Sequence, residues 1–298
     1  MSACVSVVVP VYNGGGLLRK CLRALVGQTL ERDLYEVVVV DDGSSDDSAD
    51  VARSFDGVTV LQRPHRGVAA ARNAGWRAAS GNWIASTDAD CLPSRGWLAS
   101  LLAAVRLADE RGECVAGCAG RTLGVASDAP SARFCDLIGS YNAEINLAHP
   151  RFPYAPTGNV LYGRDALATV GGFDERYRSY EAADLHLRLR QRGAGTFLFE
   201  PRAIVLHHHR TNWGRYWRQQ VGYGRGYAQF LWHHRDEIPW SPRRELRAWE
   251  HVATLALEAV RAGSGREALI HRGRLVKELA LRVGFDATYW NPHERARW

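Results

Sequence analysis

Short apolar runs alternate with longer stretches of helical spacing through the first part of the chain. Residues 5–9, four valines around Ser6, read as a strand buried on both faces, as in a parallel sheet. Asn13-Gly14-Gly15-Gly16 reads as a loop. Leu17, Leu18, Cys21, Leu22 and Leu25 then recur at helical spacing and predict a helix to about Thr29. Residues 36–40 predict a second buried strand, which runs into the capping-rich Asp41-Asp42-Gly43-Ser44-Ser45-Asp46-Asp47-Ser48. A third strand at 58–61, an alanine-rich helix at 67–79 and a fourth strand at 83–87 follow. This alternation predicts an α/β fold: a mostly parallel, Rossmann-like central sheet with helices on both faces.

The pattern then loosens. A helix at 97–107 and a strand near 114–121 precede an irregular stretch, 123–153, expected to fold over the site as a lid. Residues 154–162 read as extended, 164–170 and 181–192 as helical, and 196–199 and 203–206 as two short strands. From 213 onward the spacing is helical: 213–232, 243–260 and 266–283. A soft boundary near residue 210 therefore separates an α/β domain, 1–210, from a C-terminal helical extension, 211–298. The α/β domain divides into halves of about 1–95 and 96–210. Trp213, Tyr216, Trp217, Tyr223, Tyr227, Phe230 and Trp232 crowd one stretch among arginines. They suit packing, stacking on a sugar, or a peripheral membrane or homo-oligomer contact through 211–240. Gly222, Gly224 and Gly226 in that stretch point to a kink or a close approach.

Composition narrows the classes. The 298 residues are 46% hydrophobic and 23% charged, a globular balance. No apolar run approaches the ~20 residues of a membrane span. The chain opens directly on a strand-like segment, so no signal peptide is expected. Six scattered cysteines suit reduced thiols and a cytoplasmic location, with contact at the inner membrane face as the variant. Cys114 and Cys118 lack the second pair that a zinc site needs. The net charge of +6 is almost all arginine, since lysine occurs only at Lys20 and Lys277. Arginine suits planar recognition of phosphate or carboxylate. No nucleic-acid module accompanies the charge, and no nucleic-acid partner is expected.

The sharpest chemical signal is Asp88-Ala89-Asp90, at the end of the fourth strand. Two acids at the carboxyl edge of a buried strand sit where open α/β sheets bind ligands. They repel unless something positive lies between them. A divalent cation carrying a phosphorylated substrate meets that need through hard oxygen ligands, which suit Mn2+ or Mg2+. The first loop lacks the spaced glycines of a dinucleotide-binding fold.

Four segments recur in order: Val5-Ser6-Val7-Val8-Val9-Pro10-Val11-Tyr12-Asn13, Val37-Val38-Val39-Val40-Asp41-Asp42-Gly43-Ser44, Arg66-Gly67 with Ala71-Arg72-Asn73-Ala74-Gly75, and Asp88-Ala89-Asp90. Together with Gly171-Gly172-Phe173-Asp174-Glu175 and the 200–207 segment ending in His207, they resemble the family 2 glycosyltransferases of the GT-A fold to about residue 210. The resemblance implies an inverting transfer from a nucleotide sugar to an acceptor hydroxyl with a divalent metal. The donor is a UDP-sugar by default, with GDP- and dTDP-sugars open. The acceptor is a saccharide, a lipid-linked sugar or a small molecule. Pro10, Tyr12, Asp41, Asp42, Arg66, Arg72, Asn73, Asp88, Gly158 and Asn159 are then expected around the nucleotide sugar, and Asp88, Asp90 and His207 around the metal. Capping is the alternative role for Asp41 and Asp42. Strand alternation places His207 and His209 on one face and His208 on the other.

One departure matters. The family's Glu-Asp pair at a helix start reads Glu181-Ala182 here, with alanine where the usual base stands. Glu181 and Asp184, three apart on one helical face, are the candidate bases, with Asp174 as an acid elsewhere. The alternative function is a catalytically impaired sugar-nucleotide-binding or scaffold protein of the same fold.

Overall fold

A computed structural model describes residues 4–296 of the chain. The chain divides into two units. One comprises the residues up to Leu123 together with Tyr141–Glu175 and Glu181–His208. The other comprises Gly124–Ser140, Arg176–Tyr180 and the chain from His209 onward. The division has a break at 208/209, and two earlier segments belong to the second unit.

The first unit is built on eight strands: β1 (Val5–Val11), β2 (Tyr35–Asp41), β3 (Val58–Gln62), β4 (Trp83–Ser86), β5 (Cys91–Pro93), β6 (Val115–Gly124), β7 (Val160–Gly163) and β8 (Thr196–His207). They form one sheet in the order β3-β2-β1-β4-β7-β6-β8-β5. The first four strands are parallel, as the alternating pattern requires. β4 with β7, β6 with β7 and β5 with β8 pair antiparallel, so the sheet is mixed rather than mostly parallel. These partners lie far apart in the chain, so no apolar run in either strand records the direction in which they pair.

Helices α1 (Gly15–Val26), α2 (Ser48–Arg53), α3 (Val68–Ala78), α4 (Trp97–Glu110), α6 (Ala143–Leu147), α7 (Arg164–Thr169) and α8 (Glu181–Gln191) belong to this unit, and α5 (Pro130–Leu137) to the other. β1 shows how the sheet is covered. Val5, Val7 and Val9 face a core with Leu18, Leu22 and Leu25 of α1 and Leu98, Leu101 and Val105 of α4. Val8 faces the opposite core with Ala69 and Ala71 of α3 and Leu185 and Leu189 of α8. Alternation in a strand thus feeds two apolar layers.

β8 is one continuous strand where two short ones were expected. Pro201 lies within it, off the β5 ladder, which pairs only Val205, Leu206 and His207. The strand ends at His207, so alternation does not carry on to His209, which belongs to the second unit. The stretch 123–153 holds α5 and α6 rather than irregular chain throughout. The expected extension over 154–162 narrows to β7.

The second unit is helical: α5, α9 (Trp213–His233), α10 (Pro242–Arg261), α11 (Gly265–Tyr289) and α12 (Pro292–Arg295). Phe134, Cys135 and Tyr216 form a small core with Trp213, Leu269 and Val276 packed on it. Of the seven aromatic residues of the 213–232 stretch, Tyr216 and Phe230 are buried and the other five half-buried. Among the described residues, no helix is long and apolar enough to cross a membrane.

Candidate functional site

The site lies in the first unit, at the edge where β4 runs out into Asp88-Ala89-Asp90. Thr87 anchors the exit, its amide donating to Val8 O (3.3 Å) and its hydroxyl to Gly158 O (2.9 Å). Beyond the two acids the chain turns back as β5. This three-residue strand was not legible beforehand, because only its pairing with β8 defines it.

That pairing sets Cys91 opposite His207, and the amide of His208 donates to Asp90 O at 2.9 Å. As a result Asp90 Oδ1 faces His207 Nε2 at 3.6 Å. Tyr141, held at φ 64, lays its ring 4.7 Å from that imidazole. One ligand atom each from Asp90, Cys91 and His207 lies within 4.8 Å of the others. Neither Cys91 nor Tyr141 was expected at the site. For Cys91 the available signal was its place directly after the second acid. Burial, then the charges of Asp88 and Asp90, push the Cys91 thiol upward.

Asp88 looks the other way. Its Oδ1 accepts from Arg72 Nη2 at 2.7 Å, while Arg72 Nη1 donates to Glu181 Oε1 at 2.8 Å. Arg72 is 4% exposed. Burial opposes its charge, but Asp88 and Glu181 together keep it raised. A buried guanidinium therefore joins the acid of β4's end to the acid that opens α8. Glu181 Oε2 has no protein hydrogen bond among the described residues. Gly158 borders the same place. A Cβ there would lie 3.2 Å from Asp88 Oδ2 and 3.4 Å from Cys91 Sγ, so the absent side chain leaves a cradle beside the acid and the sulfur.

Asp184 is not beside Glu181 in function. Its Oδ2 accepts from Arg188 Nε at 2.8 Å and Nη2 at 2.7 Å, and Arg188 also donates to the carbonyls of Val170 and Gly172. Asp184 is 3% exposed and ties α8 to the 170–172 turn. Asp174 is half-buried.

The nucleotide-side residues divide in the same way. Tyr12 is exposed and stacks on His65, with ring centroids 4.2 Å apart. Pro10 lies inside β1, buried and in register with Val40. Asp41 accepts from the Ser44 amide (3.0 Å) and from Gln62 (3.2 Å). Asp42 accepts from the amides of Arg66 (3.1 Å) and Gly67 (2.7 Å) and pairs with His65 Nδ1 at 2.9 Å. Neither aspartate caps α2, whose N-cap is Asp47. Both shape loops instead, and Asp42 builds the 63–67 turn. The Arg66 guanidinium is exposed and pairs with Glu175 at 3.0 Å.

Two expected ligand residues face inward. Asn73 donates to Phe173 O (2.8 Å) and Glu175 Oε1 (3.0 Å) and accepts from the Phe173 amide (2.9 Å) and Trp76 Nε1 (3.0 Å). Asn159 accepts from Trp97 Nε1 (2.7 Å) and donates to Arg121 O (3.0 Å) and Ala203 O (3.1 Å). Each amide is satisfied within the fold.

Comparison with known proteins follows this geometry. Residues 6–171 match the family described as Glycosyl transferase family 2. Pre-mycofactocin glycosyltransferase of Mycobacterium tuberculosis is 36% identical over 242 residues, 78% of this chain and 48% of that protein. The chain thus spans about half the length of that relative. Glycosyltransferase AglE of Haloferax volcanii is 30% identical over 235 residues, 76% of this chain and 73% of that protein. Among solved structures, mannosyltransferase PcManGT of Pyrobaculum calidifontis, in complex with GDP-Man and Mn2+, matches with a TM-score of 0.65 at 21% identity. The match covers 98% of this chain and 88% of that one. S. aureus TarS 1–349 in complex with UDP matches with a TM-score of 0.55 at 18% identity, over 96% of this chain and 91% of that one.

Proposed function

The chain belongs to glycosyl transferase family 2 and has the GT-A fold, and on that premise we propose that it moves a sugar, with inversion, from a nucleoside-diphosphate sugar to an acceptor hydroxyl. The observation that carries this reading is the β5–β8 pairing, which sets the Asp90 carboxylate against the His207 imidazole next to Asp88. This donor set fits a divalent cation, Mn2+ or Mg2+, and Gly158 leaves room beside it. Asp90 and His207 would hold the ion, with Asp88 toward the ribose or an ion-bound water. Once bound, such an ion offsets charge on the departing diphosphate.

The chain's own groups supply the rest. Tyr12, backed by His65, offers a flat face to a nucleobase. Arg66, exposed and paired with Glu175, offers a cation to the donor's phosphates. Arg72 holds Asp88 and Glu181 in fixed relation. Glu181, with Oε2 unengaged, takes the acceptor's proton as the new bond forms. Asp184, Asn73 and Asn159 act as framework. A UDP-sugar is the default donor, with GDP- and dTDP-sugars to be tried beside it.

A second reading is favoured by Ala182 and by the Arg72 ion pair on Glu181: a protein that binds sugar nucleotides without turning them over. One experiment separates the two. Purified protein is given UDP-, GDP- and dTDP-sugars with Mn2+ or Mg2+ and acceptors of each class. Release of nucleoside diphosphate is then followed, alongside thermal shifts. Turnover lost in Asp90→Ala, with the circular dichroism of the fold retained, is expected. A nucleotide thermal shift without turnover on any donor supports the second reading.

A further inference from the structure

We propose that Cys91 is a third protein donor to the cation, and that its thiolate biases the site toward transition-metal ions over Mg2+. The inference deepens the reading above and rests on the cation site described there.

Three observations carry it. First, β5 is short and its register puts Cys91 opposite His207, so the sulfur and the imidazole are brought together by the backbone itself. Second, ligand atoms of Asp90, Cys91 and His207 lie within 4.8 Å of one another, a spacing that one ion can draw together. Third, the sulfur borders the gap at Gly158 that Asp88 Oδ2 also borders, so it is turned toward the acids. Cys91 is 1% exposed, at the margin of the apolar core that includes Leu18 and Trp97. The contrast with Cys118 is useful. That thiol is equally buried, but its hydrogen bond is to its neighbour's carbonyl.

The chemistry follows from donor type. Mg2+ takes oxygen ligands and gains little from sulfur. Thiolate and imidazole together favour softer first-row ions, in the order in which Co2+ and Zn2+ exceed Mn2+. On binding, a metal–sulfur bond forms, the S–H bond breaks and the proton leaves to solvent.

The test uses the whole reduced protein, titrated with Co2+ alone and with Cd2+ alone, with and without UDP or GDP. Near-ultraviolet absorption reports sulfur-to-metal charge transfer. Displacement of bound Mn2+ by Mg2+ is followed by the electron paramagnetic resonance of free Mn2+. The wild type is expected to show a charge-transfer band that Cys91→Ser and Cys91→Ala lack. In Cys91→Ser, the Mg2+ excess needed to displace Mn2+ should fall about tenfold. Loss of the band in Asp90→Ala and His207→Ala keeps the assignment testable even where neither Cys91 variant folds. Co2+ binding that Asp90→Ala abolishes, with no sulfur band in the wild type, overturns the role of Cys91 and leaves the cation reading standing. Failure of the wild type to bind any of these ions, with nucleotide present, overturns both.

Discussion

At the residue scale, the sequence showed which side chains carry chemistry but not whom they meet. Asp88, Asp90 and His207 were legible because acids at a strand tip and a histidine after a strand are costly unless engaged. Their division of labour was not: Asp90 meets His207 across β5–β8, while Asp88 meets Arg72. Asn73 and Asn159 show the limit most clearly. A polar residue in a family motif reads the same whether it faces a ligand or satisfies the core. Asn159 is 1% exposed and serves three separate elements. Asn159→Ala should therefore orphan the Trp97 indole and two carbonyls. A loss of about 2–3 kcal/mol is expected in urea unfolding, from buried groups left without partners. The affinity of the folded fraction for a nucleoside diphosphate should be unchanged. A variant of wild-type stability with weakened nucleotide binding would return Asn159 to the ligand surface.

At the element scale, α8 concentrates the chemistry that remains open. Its sequence showed two acids one helical step apart, and spacing alone left both available. The fold separates them. Glu181 sits at the first turn against Arg72, and Asp184 is gripped by Arg188. Glu181→Gln is expected to lower turnover by about 10²–10⁴-fold, as for removal of a general base, and to cost about 1–2 kcal/mol, because the buried Arg72 loses one of its two carboxylates but keeps Asp88 and an amide oxygen. Asp184→Asn should instead cost about 2–3 kcal/mol, below the full cost of a broken buried pair because Arg188 keeps some exposure. Denaturant midpoints and turnover, measured on both variants, decide between these roles. The same helix carries a titration. His186 is fully buried against Tyr162 and the Ala155 amide, and burial pushes its pKa down to about 3. Between pH 6.5 and about 3 the unfolded chain binds a proton that the native state refuses. Stability should therefore fall as pH falls through that window, by up to about 1.4 kcal/mol per pH unit. His186→Gln, which keeps an acceptor for the Tyr162 hydroxyl, should flatten the dependence of the melting temperature on pH between 6.5 and 4.5.

At the scale of the whole molecule, the parallel strands were legible because short apolar runs, buried and valine-rich in β1 and β2, alternate with stretches of helical spacing. Of the antiparallel strands, β6, β7 and β8 were legible in outline but not in direction, and β5 not at all, since three residues are too short to carry a period and take their place from a partner. The helical unit was legible in outline, and its glycines raised a choice between a kink and a close approach. Helix α9 runs unbroken from Trp213 to His233, which favours close approach. A Cβ on Gly224 would overlap the Leu281 carbonyl of α11, and one on Gly284 would overlap the Val221 carbonyl of α9. Each helix thus brings backbone against backbone where the other has no side chain. Gly222 sits two residues away with nothing within 4 Å of its would-be Cβ. The two positions should respond in opposite directions to one substitution. Gly224→Ala must push the helices apart and should destabilise by about 1–3 kcal/mol. Gly222→Ala meets open space and should stabilise by about 0.5–1 kcal/mol through helix propensity. Thermal unfolding of the two variants checks the pair. Equal effects at both positions would mean that propensity alone, and not the crossing of α9 with α11, governs these glycines.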